Sequence, residues 1–283
     1  MSNSGKKQIA RARMKYSGEK YEASLAGIPN VRAHGLDSCS RGQEEFRALL
    51  ALGLFNRGSI AAPPGEWGLH SLTWYTITVS PRWQRLVFIS RAPDNVMQYF
   101  VPVDLQYSRL PGMRLIGVHG SGILARHIPT GAEFASTSRV DGACAVEGKT
   151  DYRFMLGVDE PLFEEEKRRL RAIPPMSRDG RFLLAGLLTR MSMVDARKNW
   201  ATGNWFWDPL QREDVKARRT GDPQRRLWGA QGEWDIQWTG YPHPRDVALA
   251  MTDPVVGVEG ARLDNCKGSY EVTLRSAVLR IRK

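Results

Sequence analysis

The chain has 283 residues, 42% hydrophobic and 25% charged, a length and balance that bury a sizeable core and exclude a wholly disordered chain. Its formal net charge of +11 favours anionic partners through long-range attraction that salt screens. The longest apolar runs, Ala48–Phe55 and Phe182–Leu188, are too short for a membrane-spanning helix.

Cys39, Cys144 and Cys266 are scattered and odd in number, which predicts free thiols in a reducing, cytoplasmic setting. The five histidines show no H-x-x-x-H spacing, so no metal site is expected. The N-terminus lacks an apolar stretch of the secretory kind, and no membrane partner is expected.

Residues 1–33 read as a basic helical arm. Lys6, Lys7, Arg11, Arg13, Lys15, Lys20 and Arg32 oppose only Glu19 and Glu22, a local net charge of +5. Its thin apolar stripe (Ile9, Tyr16, Tyr21, Leu25, Ile28) needs something to pack on, which points to a protein partner for the arm. Read as a solvated appendage, the arm should be removable with little change in the melting temperature of the rest. Arg11-Ala12-Arg13, Ser17-Gly18, Tyr21 and Ser24-Leu25 together resemble a short R-A-R…[ST]-G-x-x-Y-x-x-A-L segment. It recurs in uncharacterised actinobacterial proteins linked to plasmids and other mobile elements. The resemblance covers about twenty residues, departs at Ser24, and implies a DNA-linked setting without a mechanism.

Ser40-Arg41-Gly42-Gln43 fits a capping box, followed by Phe46, Leu49, Leu50 and Leu54 at helical spacing. Ala62-Pro63-Pro64-Gly65 then forms a loop. From Leu69 to Val158 the period becomes two. Strands are predicted at Thr73–Val79, Arg85–Ile89, Met97–Leu105, Arg114–His119, Gly122–His127, Glu133–Ser138 and Tyr152–Leu156, with no helix between them. Ser80-Pro81-Arg82-Trp83 and Pro93-Asp94-Asn95 are read as turns. Gly117–Gly122 is glycine-rich but lies between two strands, where no helix amides face an anion.

Asp159–Ala172 is predicted as a helix with a solvated charged face, with Glu164, Glu165 and Glu166 ahead of Lys167, Arg168 and Arg169. A core helix is predicted over Asp179–Trp200, on the stripe Leu183, Leu187, Met191 and Val194. A strand follows at Gly232–Trp238, then a short helix from Pro244 and a strand-rich close. No internal repeat is visible. The fold class is α+β: an antiparallel β-rich sheet, barrel or sandwich, with segregated helices and the basic arm. The divisions are the arm 1–33, a β-rich region 34–158 and an α+β region 159–283, the last two together as one domain or separate.

Six of nine tryptophans lie between Asn199 and Trp238, around a run of arginines. Rings beside arginines suit either a core with a charged rim or a surface that stacks bases and neutralises phosphates. Trp234 and Trp238 share one face of a strand with Ile236 and are assigned to the core, whereas Trp205-Phe206-Trp207 should expose at least one ring. The nucleic-acid-binding set is therefore Lys6, Lys7, Arg11, Arg13, Lys15, Trp205, Trp207, Arg212, Lys216, Arg218, Arg219, Arg225 and Arg226. The leading expectation is a non-enzymatic, nucleic-acid-associated protein of a mobile-element or phage-like system, with DNA ahead of RNA and no cofactor.

Two alternatives stand beside it. Arg85 or Arg91, Ser136-Thr137-Ser138 and Gln231-Gly232-Glu233 resemble the R…S-T-S…Q-x-E pattern of ADP-ribosyltransferases. That resemblance implies NAD as cofactor, Arg85 or Arg91 on its phosphates, Ser136 at the nicotinamide pocket and Glu233 at the transition state. The gap between Ser138 and Gln231 is wider than that family shows. The other alternative is a structural or interaction protein without nucleic-acid binding.

Overall fold

The computed structural model describes residues 3–29, 34–56, 77–98, 100–101, 110–119, 121–144, 157–203, 205, 225–238, 240–266 and 268–282. The arm comprises α1 (Asn3–Ser17) and α2 (Tyr21–Ala26). After it come α3 (Arg41–Leu54), β1 (Ile77–Pro81), β2 (Arg85–Ser90), α4 (Pro93–Gln98), β3 (Met113–His119), β4 (Gly122–His127) and β5 (Ala132–Thr137). A short helix, α5 (Glu164–Arg171), separates these from α6 (Arg178–Thr189), β6 (Arg225–Ala230), β7 (Glu233–Trp238), α7 (Pro244–Thr252), β8 (Arg262–Cys266), β9 (Ser269–Leu274) and β10 (Ala277–Arg282).

The α+β class is as expected, but the strands form two open five-stranded sheets, ordered β1-β2-β5-β4-β3 and β6-β7-β10-β9-β8. Each is mixed, with one parallel pair: β2 beside β5, and β7 beside β10. The parallel pairing needs a crossover, and in the first sheet α4 forms part of it. The expected turn at Pro93-Asp94-Asn95 and the strand from Met97 are therefore corrected. Pro93 and Asp94 instead form the first turn of α4, where a missing amide and an acidic side chain are both favourable. The expected strand Tyr152–Leu156 and the loop at 62–65 lie outside the described residues.

The two sheets are the same unit twice. The order helix, strand, strand, helix, strand, strand, strand runs from α3 to β5 and again from α6 to β10, with identical strand order and identical parallel and antiparallel pairings. Both leading helices open on Ser-Arg. Ser40 Oγ accepts from the Gln43 amide at 3.3 Å, and Ser177 Oγ from the Gly180 amide at 3.0 Å. The cap amides reach equivalent places, Ser40 N to Trp83 O in the β1–β2 turn and Ser177 N to Gln231 O in the β6–β7 turn. The predicted capping box is thus half formed, because the Gln43 amide nitrogen turns away to Gln84 O and Glu133 O.

The copies pack through α3 and α6. Glu44 and Arg181, each four residues past its cap serine, pair with each other at 2.7 Å. Each copy also closes an edge of the other. Ser192, just after α6, accepts from Val79 N on β1 at 3.0 Å. Asn56, just after α3, accepts from Leu227 N at 2.9 Å and donates to Leu227 O at 2.7 Å on β6. Val79 and Leu227 occupy equivalent register positions, opposite Phe88 and Ile236. Such reciprocal contacts are those of a twofold-related pair, here within one chain. The edge amides they occupy would otherwise be open to strand addition.

One cluster of buried side chains runs through both copies, from Phe46 and Phe134 to Trp234 and Leu279. The 158/159 divide falls between the copies, which share that core. α6 stops at Thr189, short of the predicted Trp200, and the Arg190 guanidinium caps its last turn by donating to Gly186 O at 2.9 Å while pairing with Asp37. α5 is shorter than predicted and only partly solvated. Glu166 turns inward, where Arg114 meets it at 2.6 Å and the amides of Gly112 and Phe163 donate to it. Burial alone would raise the Glu166 carboxyl, but these donors hold it below the usual range.

His127 gives the fold a predicted acid limit. Its ring lies against Phe46, with Nε2 facing Pro111 O at 3.1 Å and Nδ1 facing Thr130 Oγ1 at 2.9 Å. A carbonyl only accepts, so the proton sits on Nε2. Burial lowers the imidazole to about 4, against the opposing pull of Pro111 O. The unfolded ring titrates near ~6.5, so it binds a proton that the folded ring refuses between those values. Stability should therefore fall as pH drops through that window, by about 2–3 kcal/mol at pH ~4.5. Urea unfolding of the parent and of His127→Asn at pH ~7 and ~4.5 checks this. The variant should lose less on acidification, and equal losses would rule His127 out.

Candidate nucleic-acid interface

α1 is amphipathic in charge. Lys7, Arg11 and Lys15 recur at every fourth residue and are exposed, whereas Ala10 and Arg13 face inward. Four residues make just over one turn, so the three cations form a stripe about 12 Å long. That matches the axial length of three to four phosphates of one strand. Lys6 flanks the stripe and is half-buried. The helix ends at Gly18, whose φ of 73° lies in the left-handed region that glycine takes most readily.

Arg13 does not belong to the anion-binding set. It is buried, and Nε and Nη2 hold both Glu19 carboxylate oxygens at 2.6 and 2.8 Å. Nη1 donates to Gly27 O and His34 O, and Nη2 also to Pro81 O, each at 3.0 Å. Of the recurring R-A-R…S-G segment, Arg11 points outward while Arg13 and Gly18 close the helical hairpin. Part of the arm's apolar stripe packs on the chain's own body. Val194 N donates to Tyr16 O at 2.9 Å, and Tyr16 stacks on Trp200 with centroids 6.3 Å apart.

That docking adds two cations absent from the predicted set. Val194 and Ala201 bridge a tight turn that presents Arg197 and Lys198 to solvent beside the C-terminal end of α1. Its single acid, Asp195, is turned inward to accept from the amides of Arg197 and Asn199 at 3.1 and 2.8 Å. Burial works against ionisation of Asp195, but those amides outweigh it and hold its carboxyl below the usual range. Lys7, Arg11, Lys15, Arg197 and Lys198 have no ion-pair partner among the described residues. Lysine and asparagine after an Asp were the local signal for this turn. Its docking on α1 had none.

The second part of the predicted set divides. Trp205 is in the core, wedged between Phe55 and Trp238 with both centroids at 4.6 Å, so its place in the nucleic-acid-binding set is corrected. Trp234 and Trp238 are buried, as their shared face with Ile236 required. Arg225 opens β6, and Arg226 lies half-buried over the Trp228 ring at 4.5 Å. Trp207, Arg212, Lys216, Arg218 and Arg219 lie outside the described residues.

The transferase-like residues are not brought into one sheet. Ser136 is buried in β5, between the register partners Phe88 and Ile123 of the first sheet. Glu233 opens β7 of the second, exposed, with its carboxylate 3.3 Å from Arg280. Arg85 is occupied by Glu133 at 2.6 Å and by Cys144 O, and Arg91 is exposed beyond the end of β2. The two halves of the pattern belong to different copies of the duplicated unit. A cleft lined by residues 34–38 and 252–261 holds three carboxylates, of which Asp37 is paired with Arg190 and Asp253 accepts from Trp200 Nε1, while Glu259 has no partner among the described residues.

Fold and site together define a duplicated α+β protein carrying a docked basic helix, with no helix among the described residues long and apolar enough to cross a membrane. Set against protein-family models, curated proteins and solved structures, the chain matched none.

Proposed function

We propose that this chain is a non-enzymatic, nucleic-acid-associated protein that holds the phosphate backbone against α1 and the neighbouring 194–201 turn. The observation that carries the reading is the stripe Lys7, Arg11, Lys15, fixed on a helix that is itself bolted to the body. A fixed stripe presents its charges without the ordering cost a flexible tail would incur. DNA comes ahead of RNA, in a cytoplasmic mobile-element or phage-like setting, on the likeness of the arm to the recurring R-A-R segment. Arg212, Lys216, Arg218, Arg219, Arg225 and Arg226 belong to the same proposed set of phosphate contacts.

The test replaces Lys7, Arg11 and Lys15 together by glutamate. Affinity for duplex DNA should fall, and the slope of log affinity against log salt should flatten by ~0.9 for each phosphate that is no longer neutralised. The melting temperature should stay near the parent's, because none of the three has a described partner in the fold. An unchanged slope would remove α1 from any binding role.

A further inference from the structure

The β1–β2 turn, Pro81 to Gln84, is held from behind at every carbonyl. Pro81 O accepts from Arg13 Nη2 at 3.0 Å, Arg82 O from Arg47 Nη2 at 2.8 Å, Trp83 O from Ser40 N at 3.0 Å and Gln84 O from Gln43 Nε2 at 3.0 Å. Across the turn, Arg82 N donates to Arg85 O at 2.8 Å. What this clamp presents outward is the Trp83 ring, 49% exposed and the one exposed tryptophan among the described residues.

The fold does not require a ring there. In the second copy the equivalent turn is the pair Gln231-Gly232, held by the equivalent cap amide and carrying no aromatic. The two segments that clamp the Trp83 turn each carry an exposed cation. Arg41, exposed, follows the Ser40 whose amide holds the Trp83 carbonyl, and Lys20, exposed, follows Glu19 in the clamp that reaches Pro81. Glu19, Glu44, Glu133 and Asp141 are paired with Arg13, Arg181, Arg85 and Arg139, whereas Glu22 and Glu45, near Lys20 and Arg41, have no ion pair among the described residues.

We infer that Trp83 is a stacking platform for an unpaired nucleobase, with Arg41 and Lys20 on the adjoining phosphates, so that the protein engages single-stranded nucleic acid at this turn. The inference rests on the nucleic-acid reading above and names the form of nucleic acid that this second surface takes. Stacking is open to any base because each has a π-face, and a ring already fixed by its backbone loses little freedom on binding. A duplex keeps its bases stacked inside and offers this ring nothing.

The experiment compares the full-length parent, Trp83→Ala and Trp83→Phe on an unstructured oligothymidylate and on a duplex of the same length. Trp83→Ala should weaken single-strand binding by about 5- to 150-fold, leave duplex affinity and both salt slopes unchanged, and be rescued in large part by Trp83→Phe. Melting temperatures should stay close, since about half of the residue is already open to solvent. Equal single-strand binding by parent and Trp83→Ala, with duplex binding intact, overturns the stacking site alone and leaves the ring as a contact for another protein. Failure of the parent to bind either form overturns this inference and the nucleic-acid reading together.

Discussion

Arg13→Ala should destabilise the protein by about 3–5 kcal/mol, the cost of breaking a buried ion pair from one side. Both side chains of the Arg13–Glu19 pair are fully buried, so the variant leaves the Glu19 carboxylate without its counter-ion. All five guanidinium N–H donors are used, two on Glu19 and three on carbonyls from residues 27, 34 and 81. Lysine, a point charge with three donors, cannot span that set, so Arg13→Lys should recover only a small part. Gly27→Ala offers an independent check, because a Cβ there would lie 2.5 Å from the guanidinium. Urea unfolding measures each. The double variant Arg13→Ala, Glu19→Gln should be more stable than Arg13→Ala alone. A parent-like midpoint for Arg13→Ala would show the arm to be the detachable appendage its sequence suggested. The structure predicts the opposite for removal of residues 1–33, a clear drop in melting temperature, since that deletion strips a donor from the β1–β2 turn.

Trp205→Ala carries the other large expected effect, about 3–5 kcal/mol for removing a large core ring. The indole lies between Phe55, at the end of α3, and Trp238, on β7, so it ties the first copy's helix to the second copy's sheet. Its amide also donates to Met191 O at 2.9 Å, just beyond α6. Loss of near-UV dichroism and an earlier urea midpoint should accompany the change, while nucleic-acid affinity measured where the variant is folded should stay at the parent's value. A stable Trp205→Ala with impaired single-strand binding would restore the ring to the surface role that its neighbourhood of arginines implied.

The sequence could be read wherever the signal was local. Alternation marked Trp234, Ile236 and Trp238 as one buried face, and Ser40 and Ser177 stand where helices begin. The stripe Lys7, Arg11, Lys15 follows from helical spacing alone. α4 escaped detection because six residues make fewer than two turns, too few for a periodicity to rise above the strand-like residues around it. The duplication was invisible for a related reason. The copies share apolar positions of the common core and their Ser-Arg helix starts, whereas positions on the other face of the sheets mostly differ: Val87 and Ala135 in the first sheet stand where Asp235 and Arg280 stand in the second.

What the sequence by itself determined is part of the alphabet of this protein: most of its helices and strands, which faces of them are apolar, and that an excess of positive charge begins in the arm. Only the tertiary structure decided which charges are available and which rings are exposed. Arg11 and Arg13 are two residues apart and identical in composition, yet one faces solvent and the other is sealed in by Glu19 and carbonyls as distant as Pro81. In the same way Trp205, among arginines in the sequence, is buried, while Trp83 is exposed. Burial and pairing depend on groups brought together from far along the chain, and local periodicity carries no record of them.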